Sequence, residues 1–161
     1  MQQTAASQKT KEREIAAERI FGAPRYLVWT AMTDPVHLGK WWGPNGFTTT
    51  TKEFDFKVGG EWNFIMHGPD GTDYRNKVTY TLIDEPNRIE YDHGPSPLFH
   101  VTIRLEEEGA AMTKLSWQLL FETKEERDRT AEKFGAVEGL SQTLGRFEAY
   151  LSEMTAEGDG Q

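Results

Sequence analysis

Through residues 49–121 apolar and polar residues alternate in one short run after another, and this alternation constrains the fold more than any other feature of the chain. Residues 61–66 place Trp62, Phe64 and Met66 on one side; residues 98–106 do the same with Phe99, Val101, Ile103 and Leu105, and residues 112–121 with Leu115, Trp117, Leu119 and Phe121. Runs at 49–56, 74–83 and 88–92 complete the set, and turn signals separate them at Gly59-Gly60, Pro69-Asp70-Gly71, Glu85-Pro86-Asn87 and residues 107–110. Strands of this kind make an antiparallel sheet with one face in water, so the apolar face needs a cover. The C-terminal region supplies one. Phe134, Val137, Leu140 or Ser141, Leu144, Phe147, Leu151 and Met154 form an apolar stripe at helical spacing, with Glu138, Gln142, Arg146 and Glu153 on the opposite side. Thr123-Lys124-Glu125-Glu126 is a capping box that opens this helical region, and a break is expected near Gly135.

Ahead of the alternating runs, residues 14–21 read as a first strand. A helix starts at Ala23-Pro24 and continues through Met32, since proline is tolerated in a first helical turn. Asp34 and Pro35 suit the cap and first position of a second, short helix, which Gly43-Pro44 ends. Two adjacent tryptophans, Trp41 and Trp42, sit just before that stop and carry too much apolar surface for an ordinary exposed loop. The order predicts an α+β fold: a curved antiparallel sheet wrapped round a long C-terminal helix, with two short helices after the first strand and a hollow between sheet and helix. The expected domain is 13–154, with disordered tails at 1–12 and 155–161.

The chain has 161 residues, enough for one domain that buries about 70% of its unfolded surface. Cysteine is absent, which excludes disulfides, thiolate catalysis and Cys-ligated metal sites. A net charge of −8 argues against binding to nucleic acid or to anionic membranes. No run is long and apolar enough for a membrane span, and the first ten residues have no apolar secretory core, so a cytoplasmic location is expected.

The segments Arg19-Ile20-Phe21-Gly22-Ala23-Pro24, Asp34-Pro35…Leu38…Trp41-Trp42-Gly43-Pro44 and Phe56-Lys57-Val58-Gly59-Gly60-Glu61-Trp62 carry a resemblance. Pro69-Asp70-Gly71 and Asp84-Glu85-Pro86-Asn87-Arg88-Ile89 extend it. The chain resembles the bacterial single-domain relatives of the activator of the ninety-kilodalton heat-shock chaperone's ATPase, within the START-like (SRPBCC) superfamily. That resemblance implies the helix-grip fold and a cavity for a small hydrophobic or aromatic molecule. Leu140 stands where the family often has tryptophan, and Asn76-Lys77 where it often has glycine.

The candidate cavity residues are Trp41, Trp42, Phe47, Trp62, Phe64, Met66, Tyr80, Tyr91, Phe99, Val101, Trp117, Leu119, Leu140, Leu144 and Phe147. Aromatic side chains give a pocket large apolar contact and a few polar handles; the plainer alternative is that the same rings simply fill a core. The histidines His37, His67, His93 and His100 lack the spacing of a metal site, so neither a metal nor another cofactor is expected. No catalytic residue is assigned. A cyclase- or aromatase-like enzyme is the rival reading, with Tyr80, Tyr91, His93 and Glu90 as the groups that could reach a cavity; Tyr91 and His93 share a strand face and could orient a polar group. A third reading is a regulatory module that binds a protein partner such as a chaperone. Monomer and dimer are both compatible with the sequence.

Overall fold

The computed structural model describes residues 11–159. Strand β1 (Glu14–Phe21) leads into helices α1 (Arg25–Thr33) and α2 (Pro35–Trp41). Six strands follow: β2 (Thr48–Phe54), β3 (Glu61–His67), β4 (Asp73–Asp84), β5 (Arg88–Gly94), β6 (Phe99–Glu107) and β7 (Thr113–Leu120). Helix α3 (Lys124–Phe134) and the long helix α4 (Ala136–Asp159) complete the chain. All neighbouring strands pair antiparallel in one seven-stranded sheet of order β1-β7-β6-β5-β4-β3-β2. β2 to β7 therefore form a plain meander, while α1 and α2 carry the chain from β1 to the opposite edge. This is the helix-grip arrangement.

Helix starts follow the local chemistry. Asp34 Oδ1 accepts from Val36 N at 2.9 Å with Pro35 next to it, and Thr123 Oγ1 accepts from Glu126 N at 3.1 Å. Pro24 occupies the cap of α1, one position earlier than a first-turn proline. Gly135 separates α3 from α4. α4 extends through residues 155–159, which the sequence assigns to a tail; residues 1–10 of the other expected tail lie outside the described residues.

The alternation maps onto burial. Trp62 and Phe64 of β3, Ile89 and Tyr91 of β5, Val101, Ile103 and Leu105 of β6, and Leu115, Trp117 and Leu119 of β7 are buried on the concave face. Leu144, Phe147 and Leu151 of α4 are buried against it. The C-terminal apolar stripe is not buried along its whole length: Phe134, at the end of α3, and Val137, at the start of α4, are 47% and 53% exposed, where helix and sheet part. Gly60 belongs to the turn between β2 and β3, where a Cβ would lie 2.1 Å from the Asp55 carbonyl oxygen, so only glycine fits.

Candidate functional site

At the end of the grip where α3 meets α4, the sheet and helices enclose a cavity of about 560 Å³. That volume falls in the range of roughly 300–1,000 Å³ used for small ligands. Its floor is built across four strands. Tyr91, Val101 and Leu119 face one another in successive registers of β5, β6 and β7, and Phe64 lies on β3. Trp117 stands opposite Ala17 of β1, a small residue beside a large ring. The helical wall comes from Thr130 and Phe134 of α3 and from Ala136, Gly139, Leu140 and Thr143 of α4. The remaining side is the segment Trp42-Gly43-Pro44 with Phe47, closed by Met66, Tyr74, Asn76, His93, Ser96, Pro97 and Phe99.

Ten of the sequence-predicted residues line this cavity: Trp42, Phe47, Phe64, Met66, Tyr91, Phe99, Val101, Trp117, Leu119 and Leu140. Five do not, because their surface is spent on other side chains. Trp41 stacks on Phe147 with ring centres 3.8 Å apart and donates Nε1–H to the Ala31 carbonyl at 3.0 Å. Trp62 stacks on Phe64 at 3.9 Å and donates to Thr51 Oγ1 at 3.0 Å. Leu144 is sealed in the same core, and Tyr80, opposite Tyr91 in the sheet, packs edge-on against Phe56 at 4.9 Å. These five pack against other core side chains rather than along the cavity.

The adjacent tryptophans thus divide their tasks at the end of α2: Trp41 anchors the helix in the core and Trp42 turns toward the cavity. Trp42 meets Trp62 edge-on at 4.8 Å and Trp117 at 5.4 Å. Its direction depends on the turn that follows. Gly43 has φ +103°, and a Cβ there would come within 2.9 Å of Met66 Cε and 3.3 Å of Phe47 Cβ. Arg146 of α4 holds this turn: its Nη1 donates to the carbonyls of Gly43 at 2.8 Å, Pro44 at 3.0 Å and Trp42 at 3.3 Å. Gln142 Oε1, one helical turn earlier, accepts from Asn45 N at 3.1 Å. Helical periodicity assigns both residues to the solvated side of α4; instead they form a clamp on the cavity wall. Burial lowers the Arg146 pKa from its ordinary value.

His93 and Asn76 are the principal polar pair of the wall. His93 Nδ1 lies 2.9 Å from the Pro97 carbonyl oxygen and Nε2 2.6 Å from Asn76 Oδ1, so each ring nitrogen faces an oxygen and the tautomer decides which donates. The ring also stacks on Phe99 at 4.4 Å. Burial lowers the His93 pKa, the Pro97 contact opposing only in part. Burial, with a smaller contribution from neighbouring Tyr80, raises that of Tyr91. Tyr91 and His93 share the cavity, as their spacing implies, but both ring nitrogens of His93 are already engaged. Glu90 lies on the outer face, 2.9 Å from Arg88 and 2.8 Å from His100.

The other histidines sit in separate hydrogen-bonded settings: His37 with Tyr150 at 2.5 Å, His67 between Thr50 and Asp73, and His100 between Glu90 and Asp92. Among the described residues no group of three or more His, Asp or Glu could hold a metal ion. No described helix is long and apolar enough to cross a membrane. Thr130, Thr143, Asn76, Pro97 and Arg146 escape sequence reading. Only their neighbours on folding give them a role, and α3 is so polar that nothing marks it as a cavity wall.

Sheet, gripped helix and the hollow between them define a START-like helix-grip protein. The chain belongs to the family described as activator of Hsp90 ATPase homolog 1-like protein, whose model matches residues 22–152. Among solved structures, a protein from Arthrobacter aurescens is 30% identical with a TM-score of 0.83, over 89% of this chain and 88% of that one. A protein from Nitrosomonas europaea shares the fold at 23% identity and a TM-score of 0.81, over 90% and 97% of the two chains. An AHSA1-like protein from Aeromonas hydrophila does so at 20% identity and a TM-score of 0.70, over 88% and 94%. No curated protein matches the chain.

Proposed function

We propose that this protein binds a small hydrophobic or aromatic molecule, without covalent chemistry, in the cavity between the sheet and helices α3 and α4. The observation that carries this reading is a hollow of about 560 Å³ walled mostly by aromatic and aliphatic side chains, in a core otherwise filled by stacked rings. The hollow opens to solvent on one side, and its apolar walls forgo dispersion contacts that a closed core keeps. Transfer of apolar ligand surface from water would drive binding, at about 25 cal/mol per Å². The exposed Phe134, Val137 and Leu98 stand round the mouth, next to the lining residues Ala136, Pro97 and Phe99.

The polar wall supports binding over catalysis. His93 has no nitrogen free for proton transfer, and burial moves the Tyr91 hydroxyl away from, not toward, titration near neutral pH. The test is a ¹H–¹⁵N NMR titration against sterols, fatty acids, flavonoids and polyketides. Saturable shifts at Trp42, Trp117, Leu119 and Leu140 are the expected result. Silence across the panel would remove this reading and redirect the search to a protein partner.

A further inference from the structure

The hydrogen-bonding groups of the cavity specify more about an occupant than its apolar walls do; this inference rests on the cavity being a binding site. Several polar groups round it are satisfied by the protein, though among the described residues the half-buried Trp42 indole N–H is not. Thr143 Oγ1 donates to the Gly139 carbonyl at 2.8 Å, and both His93 nitrogens are engaged. The nearby indoles that face away from the cavity are satisfied too, Trp41 on Ala31 and Trp62 on Thr51.

Tyr91, Trp117 and Thr130 break this pattern. They are 5%, 4% and 5% exposed, all three line the cavity, and among the described residues none has a hydrogen-bond partner for its hydroxyl or indole N–H. The wholly enclosed side-chain polar atoms that lack an aligned hydrogen bond are two arginine nitrogens elsewhere, Arg25 Nε and Arg88 Nε. The free groups of Tyr91, Trp117 and Thr130 are therefore not sealed off by protein, and the residues that carry them line the cavity. An indole N–H only donates, and phenol and threonine hydroxyls donate readily. The charged lining residues Asp73, Arg75 and Lys133 are exposed at the lip, so the interior offers donors without a fixed charge.

We propose that the cavity selects an uncharged aromatic molecule carrying carbonyl or similar oxygen acceptors on its buried part, with the Trp117 indole N–H and the Tyr91 hydroxyl donating to them. A hydrocarbon guest of the same shape strips water from these donors and replaces it with nothing. A site built to hydrogen-bond its guest rejects the analogue lacking the partner group far more strongly than a purely apolar pocket does.

The experiment compares rigid pairs that differ in one carbonyl, xanthone with xanthene and fluorenone with fluorene, by NMR titration alongside the wider panel. The ketones should bind about tenfold more tightly than the hydrocarbons. Tyr91→Phe keeps the ring and removes the hydroxyl, while Trp117→Phe removes the N–H together with part of the indole; each should weaken ketone binding about fivefold more than it changes hydrocarbon binding, with melting curves confirming that the variants fold. Equal affinity within the pairs, insensitivity of the ketones to both variants, or a panel in which only saturated chains bind would overturn the acceptor proposal and leave cavity binding intact. Silence of every compound would overturn both.

Discussion

Arg146 shows what one side chain does for this architecture. A single guanidinium nitrogen ties α4 to three consecutive carbonyls of the turn that aims Trp42. Replacing it with alanine leaves those carbonyls without their charged donor and should destabilise the fold by about 1–3 kcal/mol in urea titrations; lysine, a point charge on a different stem, should restore only part. Trp41→Ala, which opens a hole beside Phe147, should cost about 3–5 kcal/mol by the same measurement. The histidines give opposite pH signatures. His93 has a folded pKa below its ordinary 6.5, so its contribution is present above pH 6.5 and is lost as pH falls through its folded value. His100, part-buried but held by the Asp92 and Glu90 carboxylates, has a raised pKa; its contribution is present below 6.5 and is lost as pH rises through the folded value. Urea midpoints measured from pH 5 to 8 should therefore respond in opposite directions to His93→Gln and His100→Gln. At this scale little was legible beforehand: nothing in the spacing of Arg146 separates a clamp from a solvated charge, because its partners are backbone carbonyls about a hundred residues away.

The elements differ sharply in how firmly they are held. Strands β5, β6 and β7 each pair on both sides and bury alternate residues, whereas α3 buries only Thr130. Helix α3 is also the element that carries Phe134 to the cavity mouth and ends at Gly135, whose φ of +59° favours glycine. Amide exchange should accordingly be fastest in α3 among the helices and slowest in β6 and β7, and uniform protection of α3 and β6 would contradict this ordering. The strands and helices themselves were legible, since period-two and period-3.6 patterns set their faces directly. Their limits were less so. A bulge between Thr51 and Glu53 shifts the register of β2 against β3, and the apolar stripe begins with Phe134 of α3 and Val137 of α4, two residues that the sheet does not cover. Periodicity identifies an apolar face; it does not say how far the partner reaches along it.

For the molecule as a whole, the same amphipathic pattern serves two ends: at one end of the grip Trp41, Phe147, Leu144 and Trp62 fill the space, and at the other Tyr91, Trp117, Leu119 and Leu140 line a void. Sequence alone does not divide these groups, because a core ring and a cavity ring have the same composition and the same alternation; only the parting of α3 and α4 from the sheet separates them. If the void is a binding site, filling it must abolish binding. The most direct test is the NMR titration repeated on Leu140→Trp, which adds an indole where α4 faces the cavity and should leave the sheet unchanged. Saturable shifts on the cavity strands are expected in the parent protein, and their loss, with affinity down at least about tenfold, in the folded variant. Undiminished binding to folded Leu140→Trp would place the ligand elsewhere and contradict binding in the void.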